Sequence, residues 1–256
     1  MSLKDVDSRG TMTRNEERFN AVALKMVYKF NDSTFRPIFS DLLDWTAQAT
    51  PRNDYKRVYP LQSLYGFLEL FFGDLKSIVT SYAALLIENA VDILKTTVLK
   101  DEEFQTLWTR VLRTLGKCFE HDQDDFWQSP SHFNAVAPVL CAQFIYASSL
   151  PVARDVIPIL VELAAAADSA DHHKEINVAI LKHLRSESAS VRLAAVKCEQ
   201  ALTDRLGEEW LSMLPEMLPF ISELQEDDDE VVEKETHRWI VKIEGVLGES
   251  LDAMLQ

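Results

Sequence analysis

The sequence predicts an all-α chain: a HEAT/armadillo-like α-solenoid of about five to six stacked antiparallel helix pairs. Three observations carry that prediction. The first is an internal repeat. When the segment Asn177–Leu184 is laid on Met217–Leu224, 40 residues on, apolar positions coincide at Val178/Leu218, Ile180/Phe220, Leu181/Ile221 and Leu184/Leu224. Past the break in each copy, Val191 falls on Val231. A period near forty with two helices per unit buries its apolar faces only by stacking neighbour on neighbour. The second is the scarcity of turn formers: 7 of 256 residues are Gly, and no Asn-Gly or Asp-Gly dipeptide occurs, so the strongest hairpin signals are missing. The third is a hydrophobic fraction of 47%, which excludes general disorder.

The elements follow in order from three-and-four spacing and from breakers. Residues 14–30 carry Phe19, Val22, Ala23, Met26, Val27 and Phe30 on a helical period; Asn31-Asp32-Ser33 then breaks the helix and offers N-caps. Residues 34–48 form the next helix, with Pro37 near its first turn, where a missing N–H costs little. Thr50–Asp54 is a loop, and 55–72 is a strongly apolar helix ending at Gly73. Residues 75–98 form a whole helix. Asp101-Glu102-Glu103 then puts acid in the first turn of another, which runs to Phe119. His121–Pro130 is an acidic, aromatic loop on one edge. Residues 131–148 and 152–167 are separated by Ser148–Pro151. The clearest repeats span 172–206 and 209–247, with helices at 173–185, 189–206, 210–224 and 230–246. Leu247–Leu255 is a short amphipathic tail that caps the last of them. About eleven helices result. Residues 1–13 are polar and lack an apolar signal core, so they read as a flexible leader, native or appended. With no Gly/Ser-rich or Pro-rich linker, 14–256 reads as one domain.

Charge is unevenly placed. The chain carries a net charge of -15. Between Glu208 and Asp252 there are 14 acidic and 3 basic residues, and the remainder of the chain is near balance with 27 and 23. That end repels nucleic acid and suits a basic protein surface or solvent. Cys118, Cys141 and Cys198 are odd in number, far apart and without a CxxC, which fits a reducing compartment and small core residues. Phe133–Ala153 is uncharged, but its Asn134, Pro138, Gln143, Ser148, Ser149 and Pro151 argue for two pieces of buried core rather than a membrane span.

Motifs for chemistry fail one by one. GxxxxGK[ST], GxGxxG and GxSxG are absent. Asp122-Gln-Asp124-Asp125 opens like a calcium loop, but Trp127 stands where Gly is needed and Phe133 where Glu is needed; Asp227–Asp229 fails the same test. His172, His173 and His183 lack metal-ligand spacing and read as surface residues, while Cys141 and Cys198 have no His nearby in sequence. No catalytic residue, metal site, cofactor or small-molecule substrate is expected. Two interaction candidates remain, each beside a plainer reading. Glu226, Asp227, Asp228, Asp229 and Glu230 are either carboxylates at a helix N-terminus or a dock for a basic partner. Arg110, Arg113 and Lys117 on one helical face, with Arg52, Lys56 and Arg57 near a loop, are either solvated faces or RNA contacts.

Specific segments resemble a known family. Thr34-Phe-Arg-Pro-Ile-Phe-Ser-Asp-Leu-Leu-Asp-Trp45, the run Leu214–Glu233 and Val246-Leu-Gly-Glu-Ser-Leu251 are similar to the C-terminal region of the large U3 small-nucleolar-RNA-associated HEAT proteins of the small-subunit processome. The likeness extends over about residues 14–256. The generic HEAT pattern places Asp before Val-Arg at the start of a second helix. Here Ser190 precedes Val191-Arg192, and Asp229-Glu230-Val231 is followed by Val232, so each repeat carries one half of the Asp/Arg pair. The resemblance implies a non-enzymatic scaffold in the nucleus and nucleolus. It implies processome proteins of an early-loading subcomplex as partners, processing of the small-subunit ribosomal RNA precursor, and a link to its transcription. Direct binding of that precursor, and a generic adaptor role in transport or signalling, stand as alternatives. No membrane partner is expected.

Overall fold

The computed structural model describes residues 3–48, 55–96, 102–251 and 254–255. Helices account for all regular structure among them, as the sequence predicts, and they gather into two compact units, Met1–His121 and Asp122–Gln256. The sequence reads as one domain for want of a linker. The division instead falls at a backbone irregularity, where Asp124 and Asp125 both take left-handed φ values of 59° and 54°.

The first unit holds α1 (Leu3–Val27), α2 (Asp32–Gln48), α3 (Tyr55–Asp74), α4 (Val79–Thr96) and α5 (Glu102–Glu120). Helix α1 begins at Leu3, inside the stretch read as a leader; no proline interrupts residues 3–27, so the hydrogen-bond ladder runs on upstream. Helix α3 packs against both α1 and α5, and α4 lies against α2 and α5. Phe35 and Phe39 of α2 meet Phe71, Phe72 and Tyr82 at centroid separations between 5.0 and 6.4 Å, an aromatic core with edge and tilted contacts. Lys76–Thr96 is long and apolar enough by composition to cross a membrane, but its Tyr82, Leu86, Ala90 and Ile93 are buried in this unit.

One polar clamp threads the stack. Arg110 of α5 donates from Nη1 to Glu16 Oε1 at 2.5 Å and to the Gln62 carbonyl at 2.6 Å, and from Nη2 to Glu16 Oε2 at 2.9 Å. It therefore ties α1, α3 and α5 together. A Cβ on Gly66 would lie 2.7 Å from Arg110 Nη1, so a side chain there would displace the guanidinium from its place against α3.

The second unit holds α6 (Pro130–Ala142), α7 (Val152–Asp155), α8 (Ile157–Ala167), α9 (Ala170–His183), α10 (Ala189–Leu206), α11 (Glu208–Leu211), α12 (Leu214–Leu224) and α13 (Glu230–Leu247). Two helices expected to run unbroken, 152–167 and 210–224, are each split. Pro158 and Pro215 open the longer pieces, at the only helical positions where a missing N–H is free of cost. Between α10 and α11 sits Gly207 at φ 57° and ψ -126°, a conformation that side chains avoid. The expected loop 121–130 is more than an edge: a 3-10 turn, Phe126–Gln128, buries Trp127.

The repeat is real, but its second half is one residue longer than the sequence alignment gives. The N-caps of α10 and α13, Ser188 and Asp229, lie 41 apart, so Val191 corresponds to buried Val232, while Val231 is 52% exposed. Ala195/Thr236, Cys198/Trp239 and Leu202/Ile243 then align as buried pairs.

Glu199 of α10 is fully buried. Its Oε2 accepts from Trp210 Nε1 at 2.9 Å, and its Oε1 has no partner among the described residues. Burial pushes its carboxyl from 4.5 up to about 8, more than the Trp210 bond pulls it down. Cys141 and Cys198, thiols themselves pushed up by burial, are the titratable groups that feel its charge.

Two outcomes follow for stability. Arg110→Ala should destabilise the first unit by about 1–3 kcal/mol, read from urea unfolding, because it leaves Glu16 and the Gln62 carbonyl unsatisfied. Glu199 keeps its proton in the folded state between pH 4.5 and about 8, where the unfolded chain has released it. Its contribution is complete below pH 4.5 and is lost as pH rises toward 8. Glu199→Gln should therefore raise stability at pH 7 by on the order of 3 kcal/mol and flatten the pH profile above 4.5 in thermal scans.

Candidate functional site: an acidic edge on the second unit

The turn before α13 carries the acidic run, and its five carboxylates do different work. Asp229 caps the helix, accepting from Val231 N at 2.9 Å and Val232 N at 3.2 Å. Asp227, with a side chain 5% exposed, takes a bidentate pair from Arg192 of α10 at 2.7 and 2.8 Å. Burial pushes the Asp227 carboxyl up, but Arg192 and the Asp229 N–H outweigh it and hold it below the usual range. Asp228 also touches Arg192, at 2.5 Å, yet remains 91% exposed. Glu226 and Glu230 point to solvent, the latter 3.2 Å from Lys234. Arg192 further donates to the carbonyls of Ser186 and Glu187 at 2.9 and 3.3 Å, so one guanidinium pins the turn before α10 to the turn before α13. The Arg without its Asp in the first repeat thus finds Asp227 one repeat on, while Asp229, the Asp without its Arg, is spent on the cap of α13.

Exposed Glu187 joins Glu226, Asp228 and Glu230 on that edge, and Glu223 lies nearby in an ion pair with Arg185, whose guanidinium stacks 4.3 Å over Phe220. The edge offers a basic surface several carboxylates on a rigid frame. Apolar periodicity does not reveal Glu187 or the Arg192 clamp; the isolated Arg at the start of α10, 35 residues before Asp227, is the signal that leads to them.

The basic candidates do not come together. Arg110 is engaged inside the first unit. Lys117 pairs with Glu120 at 2.5 Å, and Arg113 is exposed. Lys56 and Arg57 fall in the first turn of α3, and their side chains, like the whole of Arg52, lie outside the described residues.

The histidines are a correction. His172 and His173 are buried rather than on the surface, and His183 is partly buried. Their Nε2 atoms donate to the carbonyls of Gln128, Ala164 and Cys141, each at 2.9 Å. Each carbonyl lies in the last turn of a helix or 3-10 turn, and the imidazole adds a bond to it from a neighbouring helix. His172 stacks on Phe133 and His183 on Phe144. Burial lowers the His183 pKa, against the opposing pull of the Cys141 carbonyl. His183 bonds the Cys141 backbone, and burial drives the thiol up to about 12. Among the described residues no group of three His, Cys, Asp or Glu side chains is placed to hold a metal ion.

Comparison with known proteins now adds a family. The BP28CT (NUC211) domain family matches residues 2–127, a span that begins inside the expected leader and takes in the first unit. U3 small nucleolar RNA-associated protein 10 of Chaetomium globosum is 62% identical over 242 residues, 94% of this chain. The chain belongs to this family. The Neurospora crassa relative of the same name is 60% identical over 253 residues, 98% of the chain. In both cases the chain spans 14% of the relative's length. The resemblance read from residues 34–45 and 214–251 therefore extends across nearly the whole chain. A solved structure of an engineered protein aligns with TM-score 0.46 and 15% identity, covering 84% of this chain and 80% of that one.

Replacing the bidentate donor should loosen the edge. Arg192→Lys keeps the charge but loses the fork, and thermal unfolding should report a loss of about 1–2 kcal/mol.

Proposed function

We propose that this chain is a non-catalytic docking segment of a nucleolar scaffold, acting in the small-subunit processome during maturation of the small-subunit ribosomal RNA precursor. The observation that supports this most is the identity of about three residues in five with proteins named for association with U3 small nucleolar RNA. In the same reading, the partners are proteins of an early-loading processome subcomplex, the compartment is the nucleolus, and the role is linked to transcription of the precursor. The acidic edge is the docking element. Arg192 holds it in one shape, and Glu187, Glu226, Asp228 and Glu230 present it to solvent. The alternative of direct RNA contact is weakened by the geometry, since Arg110 is committed to Glu16.

The test leaves the folding carboxylates Asp227 and Asp229 intact. A bait carrying Glu226→Lys, Asp228→Lys and Glu230→Lys is compared with the native chain in pull-downs from nucleolar extract, with and without RNase. The native bait should retain processome proteins after RNase, and the reversed bait should lose at least about tenfold of them at roughly 0.15 M salt, where screening spares close contacts. Retention that vanishes with RNase, accompanied by precursor RNA before it, would replace the protein-docking reading with the RNA one. Equal retention by both baits would remove the edge as the docking element.

A further inference from the structure

Glu199 is wholly buried, its Oε2 accepts one hydrogen bond from Trp210 Nε1, and its Oε1 has no partner among the described residues. Trp210 belongs to α11, a single helical turn of four residues. So short a helix has no stability of its own and is held by what its buried side chains, Trp210 and Leu211, rest on. Gly207 precedes it at φ 57°, where a Cβ would meet nothing within 4 Å, and Pro215, with no N–H to donate, opens the next helix. The helices α9 and α13, also packed on α10, run for 14 and 18 residues. Of the elements that cover α10, α11 is therefore the one that moves at least expense.

The charges around Glu199 offer it no cation. Cys198 on α10 and Cys141 on α6 are the ionisable groups that feel its charge, and burial keeps both thiols protonated. From α9, His173 meets the Trp210 ring, centroids 6.0 Å apart, and bonds the Ala164 carbonyl. On α13, Glu235 is bonded by Gln200 and Arg238, and on α7, Asp155 is paired with Arg154. Tyr146, Glu162, Glu208 and Glu209, on the remaining neighbours, are partly or fully exposed.

We infer that Glu199 is a proton-controlled latch on α11: protonated, the carboxyl stays closed against Trp210, and once its proton has left to solvent the carboxylate is hydrated by a swing of α11 away from α10 about Gly207. Burial pushes the carboxyl from 4.5 up to about 8 while α11 is closed. Opened and hydrated, it titrates near 4.5, so rising pH favours opening about tenfold per unit between the two values and little above the upper one. Helix α11 is the covalent link from α10 to α12, so opening loosens the join between the two last helix pairs while each pair stays folded.

Hydrogen exchange of the whole chain tests the latch. The Leu211, Ser212 and Met213 amides bond the carbonyls of Gly207, Glu208 and Trp210 at 3.1, 3.0 and 3.2 Å, so they exchange when α11 opens. Protection is each rate divided by that of an unstructured peptide at the same pH. It should fall about fiftyfold for these amides between pH 6 and pH 8, and stay at least about tenfold lower than in the middle of α10 and α13. Glu199→Gln should make it independent of pH. Circular dichroism checks that this variant stays helical, and Glu199→Met replaces it if it does not. The inference is overturned if protection of the three amides does not change with pH in the native chain, or if the substituted chain shows the same fall. It is equally overturned if these amides are as well protected as the middle of α10, since Glu199 would then be hydrated only by unfolding of the whole unit.

Discussion

Stacked helices bury apolar area on both sides but have no central core to fix how far one slides along the next. Register has to come from elsewhere, and here it comes from arginines that reach beyond their own helix. Arg110 joins α5 to α1 and to the backbone of α3, and Arg192 joins the turn before α10 to the turn before α13. Each meets a carboxylate in the bidentate geometry that tolerates little displacement. Buried and half-buried imidazoles complete the pattern by bonding carbonyls at the ends of neighbouring helices. Apolar stacking supplies most of the affinity between layers, and these directional bonds choose one register among many.

The apolar periodicity made the helices legible, and their breaks were legible where proline or an Asn-Asp-Ser run stood in the way. What it missed has specific causes. Val191 was set on Val231 because both are apolar and forty apart, but an alignment by hydrophobicity cannot see the extra residue that moves burial to Val232. The cap residues Ser188 and Asp229 are the better ruler, since a cap marks a fixed point of backbone geometry. Pro158 and Pro215 each fall within a stretch whose apolar spacing continues on both sides, so periodicity alone does not mark the splits before α8 and α12.

The candidate site was legible as charge and illegible as structure. The acidic run announced itself, but sequence gives no means of separating Asp227 and Asp229, which hold the fold together, from Glu226, Asp228 and Glu230, which face solvent. On the basic side, a helical wheel places Arg110 with Lys117 and cannot show that Glu16, nearly a hundred residues earlier, claims its guanidinium. The histidines mislead for a related reason: polarity suggests the surface, whereas an imidazole with a carbonyl to bond is at home in a helix interface. Phe19, Val22 and Met26 have the spacing of any core stripe, yet they stand 74%, 57% and 58% exposed, which periodicity alone does not distinguish from burial.

The arrangement around Arg192 also has a mechanical meaning. Asp228 reaches into solvent while touching the same guanidinium that grips Asp227 and the Ser186 carbonyl. A load applied at that exposed carboxylate is therefore shared at once by the feet of α10 and α13, in parallel rather than in series. The edge behaves as a rivet between two layers, and tension on it is carried by the repeat pair as a body instead of peeling the last helix away.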